Sequence, residues 1–164
     1  MILYIVRHGI AIDRADPKSP AEPERPLTAE GMKKTRAAAL GLVEMGVKPD
    51  VLITSPYVRA AQTAEIFAEA LGYSLEKIRS SDALKPSGNP ADFLKEATHL
   101  RAKEVMCFGH APHLDQLIGL LSGSRGVFTE IRKAGVACFE RGATDGRWTL
   151  LWLLTPKMLR RIAK

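Results

Sequence analysis

The chain has 164 residues, 46% hydrophobic and 26% charged, with a formal net charge of +6 and a sequence pI of about 9.5. That length fits a single domain spanning 1–164 with a core that needs no disulfide staple, and the composition is that of a soluble globular protein. The positive balance favours anionic partners without naming one. No apolar run approaches the roughly 20 residues of a membrane span, and the first apolar residues run straight into Arg7-His8, with no basic leader and no small-residue cleavage site. A cytoplasmic protein with no membrane partner is therefore expected. Cys107 and Cys138 are too few for a disulfide framework, and both lie in apolar strand-like runs, which predicts buried structural thiols.

In chain order, Ile2-Leu3-Tyr4-Ile5-Val6 is an apolar run rich in β-branched and aromatic residues, predicting a strand buried on both faces in the middle of a parallel sheet. It stops on Arg7-His8-Gly9, so the chemistry sits at its carboxyl end, where open α/β sheets form their ligand crevice. Ile10 to Pro26 holds four prolines in its last ten residues and reads as a mobile loop on that crevice side. Thr28 is the predicted N-cap of a helix reaching about Met45, with Met32, Thr35, Ala39, Leu42 and Val43 on one face and Gly46 as its stop. A second buried strand, Val51 to Thr54, runs into Ser55-Pro56. These read as N-cap and first position of a helix whose buried stripe is Ala60, Ala64, Phe67 and Leu71. Arg59 then falls in the first turn, beside N–H groups that favour an anion.

Ile78 to Asn89 is irregular, and a short helix from Pro90 to Leu100 follows, with Phe93, Leu94 and Ala97 inward. The third buried strand, Val105 to Phe108, ends in Gly109-His110-Ala111-Pro112-His113, after which Leu114, Leu117, Ile118 and Leu121 mark a further helix. Val136 to Glu140 and Trp148 to Leu154 read as two strands near a sheet edge, joined through an Ala143-Thr144-Asp145-Gly146 turn. Beyond them lies a basic cluster of Lys157, Arg160, Arg161 and Lys164.

Three apolar strands thus end in groups suited to a phosphoryl ester: Arg7 with His8, Arg59, and His110. Arginine's planar fork makes paired, charge-assisted hydrogen bonds to phosphate oxygens, and an imidazole can serve as nucleophile. His110-x-x-His113 suggests a metal, but no carboxylate motif accompanies it, so His113 is read as a pocket-rim or structural residue and no metal is assigned. No cofactor is called for.

The Arg7-His8-Gly9 motif, Leu27-Thr28-Ala29-Glu30-Gly31, the Ser55 to Ala64 segment and Gly109 to Pro112 resemble, in order and over most of the chain, the motifs of the histidine phosphatase superfamily. The small size and the Trp152-Leu153-Leu154-Thr155-Pro156 ending look most like its SixA-type phosphohistidine phosphatases. The resemblance implies a three-layer α/β/α sandwich around a mostly parallel sheet, the phosphoglycerate mutase-like fold. It also implies a metal-independent signalling hydrolase in which His8 becomes phosphorylated and water then releases the phosphate. Arg7, Arg59 and His110, with the Ala111 backbone N–H, would hold the phosphoryl oxygens.

Two departures bear on the substrate. Ile10 stands where many relatives carry a polar residue, and Ala83 occupies the slot of the carboxylic acid that protonates an alkoxide leaving group, with Asp82 beside it pointing the other way if the segment is extended. Loss of that acid matters for an alkoxide and far less for imidazole, so the expected substrate is a phosphohistidine protein such as a histidine phosphotransfer domain. Two alternatives remain: a small-molecule phosphomonoesterase of the same fold, acting on a phosphorylated metabolite with Asp82 as general acid, and a noncatalytic phosphate-binding domain. Few aromatics and cations scattered over several helices argue against nucleic acid. Neither cysteine has an arginine six positions later, which excludes a cysteine phosphatase, and no P-loop segment is present.

Overall fold

A computed structural model describes residues 1–164. Six strands form one sheet: β1 (Ile2–Arg7), β2 (Val51–Thr54), β3 (Arg79–Ser80), β4 (Glu104–Gly109), β5 (Val136–Arg141) and β6 (Trp148–Leu154). Their spatial order is β3-β2-β4-β1-β5-β6; the first four run parallel, and β5 and β6 are antiparallel at the other side. Five helices cover the sheet: α1 (Ala29–Glu44), α2 (Val58–Leu71), α3 (Pro90–His99), α4 (His113–Leu121) and α5 (Pro156–Ile162). This is the three-layer α/β sandwich expected from the sequence. No helix is long and apolar enough to cross a membrane.

The layering follows from strand periodicity. In β1, Leu3 and Ile5 pack with Phe93, Leu114 and Ile118 under α3 and α4, while Tyr4 and Val6 pack with Leu42, Phe67 and Leu159 under α1, α2 and α5. Alternate side chains of a strand point to opposite faces, so a continuous apolar run is what a two-sided core requires. Burying each of these large side chains is worth about 1.5–3 kcal/mol. Cys107 and Cys138 are buried free thiols on opposite faces of the sheet.

Several elements differ from expectation. In α1, Met32 and Val43 are exposed, and the buried positions are Gly31, Thr35, Ala38, Ala39, Gly41 and Leu42. The cause is α5, absent from the sequence reading: α1 packs against both α2 and α5, and the Leu159 backbone lies so close to Gly41 that a Cβ there would collide with its carbonyl. A helix with neighbours on two sides buries small residues rather than one wide apolar stripe. α2 begins at Val58 with Tyr57 as N-cap, because the Ser55 N–H still donates to the Phe108 carbonyl as an extension of the sheet. The irregular stretch after α2 contains the short edge strand β3, which continues the parallel ladder beside β2.

The segment before α1 is not free. Ala11 bridges to Leu27, Glu22–Glu24 forms a 3₁₀ turn, and the Gln62 side chain accepts a hydrogen bond from Leu27 N–H at 2.8 Å. Proline prevents helix or ladder here, as expected. It does not prevent side chains from pinning the chain.

Candidate active site

Register brings the strand ends together. Arg7 is level with Gly109 of β4, and Thr54 of β2 with Phe108, so His8, Ser55 and His110 emerge side by side on the carboxyl edge of the sheet. Arg7, His8, Arg59, His110 and Ala111 line one cleft, with a volume of about 410 Å³, together with Glu22, Arg25, Pro86 and Lys133. The four strand-end groups named by the sequence do meet.

His8 is buried at 7% exposure. Its Nδ1 lies 2.7 Å from the carbonyl of Gly9, an acceptor, so Nδ1 carries the proton and Nε2 the lone pair. Gly9 itself is required sterically: a Cβ there would collide with the Thr35 hydroxyl, and its N–H donates to Thr63 Oγ1 at 3.0 Å. Burial, reinforced by the nearby Arg59 and Arg7 charges, pushes the His8 pKa down to about 3, against the weaker opposing pull of the Gly9 carbonyl. The ring is neutral at physiological pH with its free lone pair at Nε2.

That lone pair accepts a 3.2 Å hydrogen bond from Arg59 Nε. Arg59 is 3% exposed, and its Nη2 donates to Glu22 Oε1 at 2.9 Å while Nη1 donates to the Glu22 carbonyl. The Nε–H and Nη2–H groups of a guanidinium lie parallel along one edge, the edge that grips two oxygens of a phosphate or carboxylate. Here that edge holds His8 Nε2 and a Glu22 oxygen. Glu22 is also gripped by both edge nitrogens of Arg25, at 2.8 and 2.9 Å, and by Arg14 at 3.2 Å. The Arg25 bonds, aided by Arg14 and the Arg59 charge and opposed by partial burial, hold its carboxyl at about 2. It is an ionised carboxylate sitting where an oxyanion would bind.

His110 is 1% exposed, with its ring centroid 5.1 Å from that of His8 and 5.2 Å from Tyr57. Its Nε2 pairs with the Ser55 hydroxyl at 2.9 Å, and its buried Nδ1 has no partner. Burial, then the neighbouring His8 and Arg59, pushes its pKa down to about 2. Arg7 is placed from the other side: its Nη1 donates to the Ile131 carbonyl at 2.7 Å, and the buried carboxylate of Asp115 accepts Ile131 N–H at 2.8 Å. Asp115 in the first turn of α4 therefore holds the residue that holds Arg7. Two guanidiniums and two imidazoles around one cleft can bind a tetrahedral oxyanion and present a nucleophilic nitrogen to it.

One of the sequence assignments changes, and one is narrowed. Asp82 lies in a 3₁₀ turn (Asp82–Leu84), is exposed, pairs with Lys85 at 2.8 Å and does not line the cleft; only Pro86 of that segment does. The turn, rather than an extended strand, is what carries its carboxylate outward. Of the two readings of His113, rim or structural, the burial fits the structural one: it is 1% exposed at the start of α4, and neither ring nitrogen has a hydrogen bond of good geometry. No group of three or more His, Cys, Asp or Glu side chains is arranged to hold a metal ion.

Glu22, Arg25, Ser55 and Asp115 are site residues that sequence reading missed. Signals existed for three of them. Glu22 and Arg25 are an acid and a base three apart in a crevice-side loop, and Asp115 interrupts the apolar face shared by Leu114 and Ile118.

The profile of the histidine phosphatase superfamily (branch 1) matches residues 3–85. An uncharacterised protein of Picosynechococcus sp. is 35% identical over 170 residues, covering 97% of this chain and 99% of that one. The phosphohistidine phosphatase SixA of Escherichia coli K12 is 27% identical over 165 residues, 98% and 97% of the two chains. The solved structure of the protein histidine phosphatase SixA complexed with tungstate superposes with a TM-score of 0.81 at 25% identity, over 96% of this chain and 98% of that one. The chain belongs to branch 1 of the histidine phosphatase superfamily and is SixA-like.

Proposed function

We propose that this phosphatase removes the phosphoryl group from a phosphohistidine protein, through a phosphohistidine formed on His8. His8 Nε2 attacks phosphorus while the substrate's P–N bond breaks. Arg7, Arg59 and, with Nε2 accepting from the Ser55 hydroxyl, the Nδ1–H of His110 would donate to the phosphoryl oxygens, with Ala111 at the cleft wall. Charge spreading over those oxygens in a loose transition state is what such donors stabilise. Binding requires Glu22 to release the Arg59 edge.

The observation that carries the choice of substrate is the absence of a poised acid. Asp82 turns out to Lys85, and Glu22 is held ionised. An alkoxide leaving group would depart unprotonated. A phosphohistidine whose second ring nitrogen carries a proton departs as neutral imidazole and needs no acid. The same chemistry serves the second step: the Nδ1–H of His8, bonded to Gly9, lets the phosphorylated ring leave as neutral imidazole when water attacks. No step draws on a metal or cofactor.

The test is a panel of purified substrates: a phosphohistidine protein, sugar phosphates and nucleotides. The expected outcome is turnover highest on phosphohistidine, acid-labile and alkali-stable label on His8 in the parent, and loss of activity by about 10⁴-fold or more in His8→Ala. Label on another residue, or preference for a phosphomonoester, would overturn the proposal.

A further inference from the structure

A second cavity, of about 440 Å³, opens on the other side of Arg7, between α1, α5 and the segment around residues 130–134. Arg7 and Lys133 line both cavities. Lys34 of α1, Arg132 and Arg160 of α5 complete a cationic lining whose one acidic member is Glu130. Lys34 is paired with Glu30 and Arg132 with Glu130, which leaves Arg7, Lys133 and Arg160 with no carboxylate partner. Arg7 Nε, on the residue common to both cavities, is buried with no acceptor. Ile10, the departure noted next to Arg7-His8-Gly9, is in this wall rather than in the catalytic cleft. Arg160 also borders a further basic groove with Lys157, Arg161 and Lys164, so cationic side chains shared between neighbouring cavities lead from the catalytic cleft to the end of α5.

We propose that this cleft is a docking subsite for carboxylate side chains that flank the phosphohistidine on the substrate protein. Its position decides the occupant. A group seated there lies alongside the reacting phosphoryl, separated from it by Arg7, and the cations impose a negative partner. Charge complementarity of this kind adds encounter rate and orientation more than intrinsic affinity. Lys34 and Arg160 touch nothing in the catalytic cleft, so the subsite can be altered without altering the chemistry.

The inference rests on the phosphohistidine reading, and the test separates the two. The Lys34→Gln, Arg160→Gln double variant is compared with the parent on a phosphohistidine protein and on phosphoimidazole, which has the same reacting bond and no flanking residues. For the protein substrate kcat/KM is expected to fall about five- to tenfold, through KM, with a weaker dependence on salt; exposed charge contacts have about that worth. Phosphoimidazole turnover is expected to stay at the parental rate. Equal rates for parent and variant on the protein substrate, or an equal fall on both substrates, would sink the subsite alone. A parent inactive on both phosphohistidine substrates yet active on phosphomonoesters would sink both readings. Thermal melting of the variant at the parental midpoint excludes misfolding, and if the double variant fails that check the single Arg160→Gln carries the same comparison.

Discussion

The two sides of the catalytic cleft are built differently. Arg7, His8 and His110 stand at the ends of β1 and β4, and Arg59 in the first turn of α2, positions set by ladder register and a two-sided core. Glu22 and Arg25 come from a proline-rich segment with no regular structure beyond one 3₁₀ turn, held by a single bridge, by ion pairs and by side-chain hydrogen bonds. In the proposed reaction the first side supplies donors that stay in place. The second supplies an ionised carboxylate that would have to leave the Arg59 edge first. A site of this kind divides its labour between a rigid scaffold and a replaceable anion.

Substitutions on each side test that division. With His8 left in place, the largest effect is expected at Arg59→Lys, which keeps the charge and loses the paired edge; kcat/KM should fall about 10²–10³-fold, measured by steady-state kinetics, and a loss below fivefold would show that the fork is dispensable. Asp115→Ala, remote from the cleft, leaves Ile131 N–H buried without an acceptor and frees the segment that fixes Arg7. Stability should drop by about 1–3 kcal/mol in denaturant titration. kcat should fall as well, and Asp115→Asn, which retains an acceptor oxygen, should restore most of it. Glu22→Gln should act in the opposite direction on binding. With the carboxylate neutralised, orthophosphate should inhibit about three- to tenfold more tightly, because it no longer competes with a resident charge for Arg59. Unchanged inhibition would mean that Glu22 does not occupy the oxyanion position.

The smallest effect is one of pH. His8 and His110 are depressed to about 3 and 2, below an ordinary histidine at about 6.5. Their ring resonances should therefore show no titration from pH 8 to 5, and a midpoint near 6.5 for either would contradict the burial that sets them. The unfolded chain binds protons between about 6.5 and 3 that the folded chain refuses. This contribution to stability is thus full above about pH 6.5 and is lost as pH falls toward 3.

Much of the rigid side was legible in the sequence. Apolar runs of four or five residues gave β1, β2 and β4, and the polar groups at their ends gave Arg7, His8, Arg59 and His110, because strand direction and burial are local patterns. The replaceable side was not legible. Glu22 reaches Arg59 across 37 residues of chain, and nothing in Pro20-Ala21-Glu22-Pro23 shows where its carboxylate points. α5 was missed for a related reason: three of its seven residues are cationic, and its anchor, Leu159, matters only because Gly41 lets the two backbones close. Asp82 lies outside the cleft, as alternation with Ala83 expected, but a 3₁₀ turn rather than an extended strand carries it there, and its alternative as general acid falls.

The bond between His8 Nδ1 and the carbonyl of Gly9 spans a single residue. In many histidine-dependent enzymes a distant acid dictates which ring nitrogen is available, so one substitution elsewhere can silence the ring. Here the main chain makes that choice. Drift in surrounding side chains can retune the electric field at the imidazole, yet this bond keeps the lone pair on the same nitrogen.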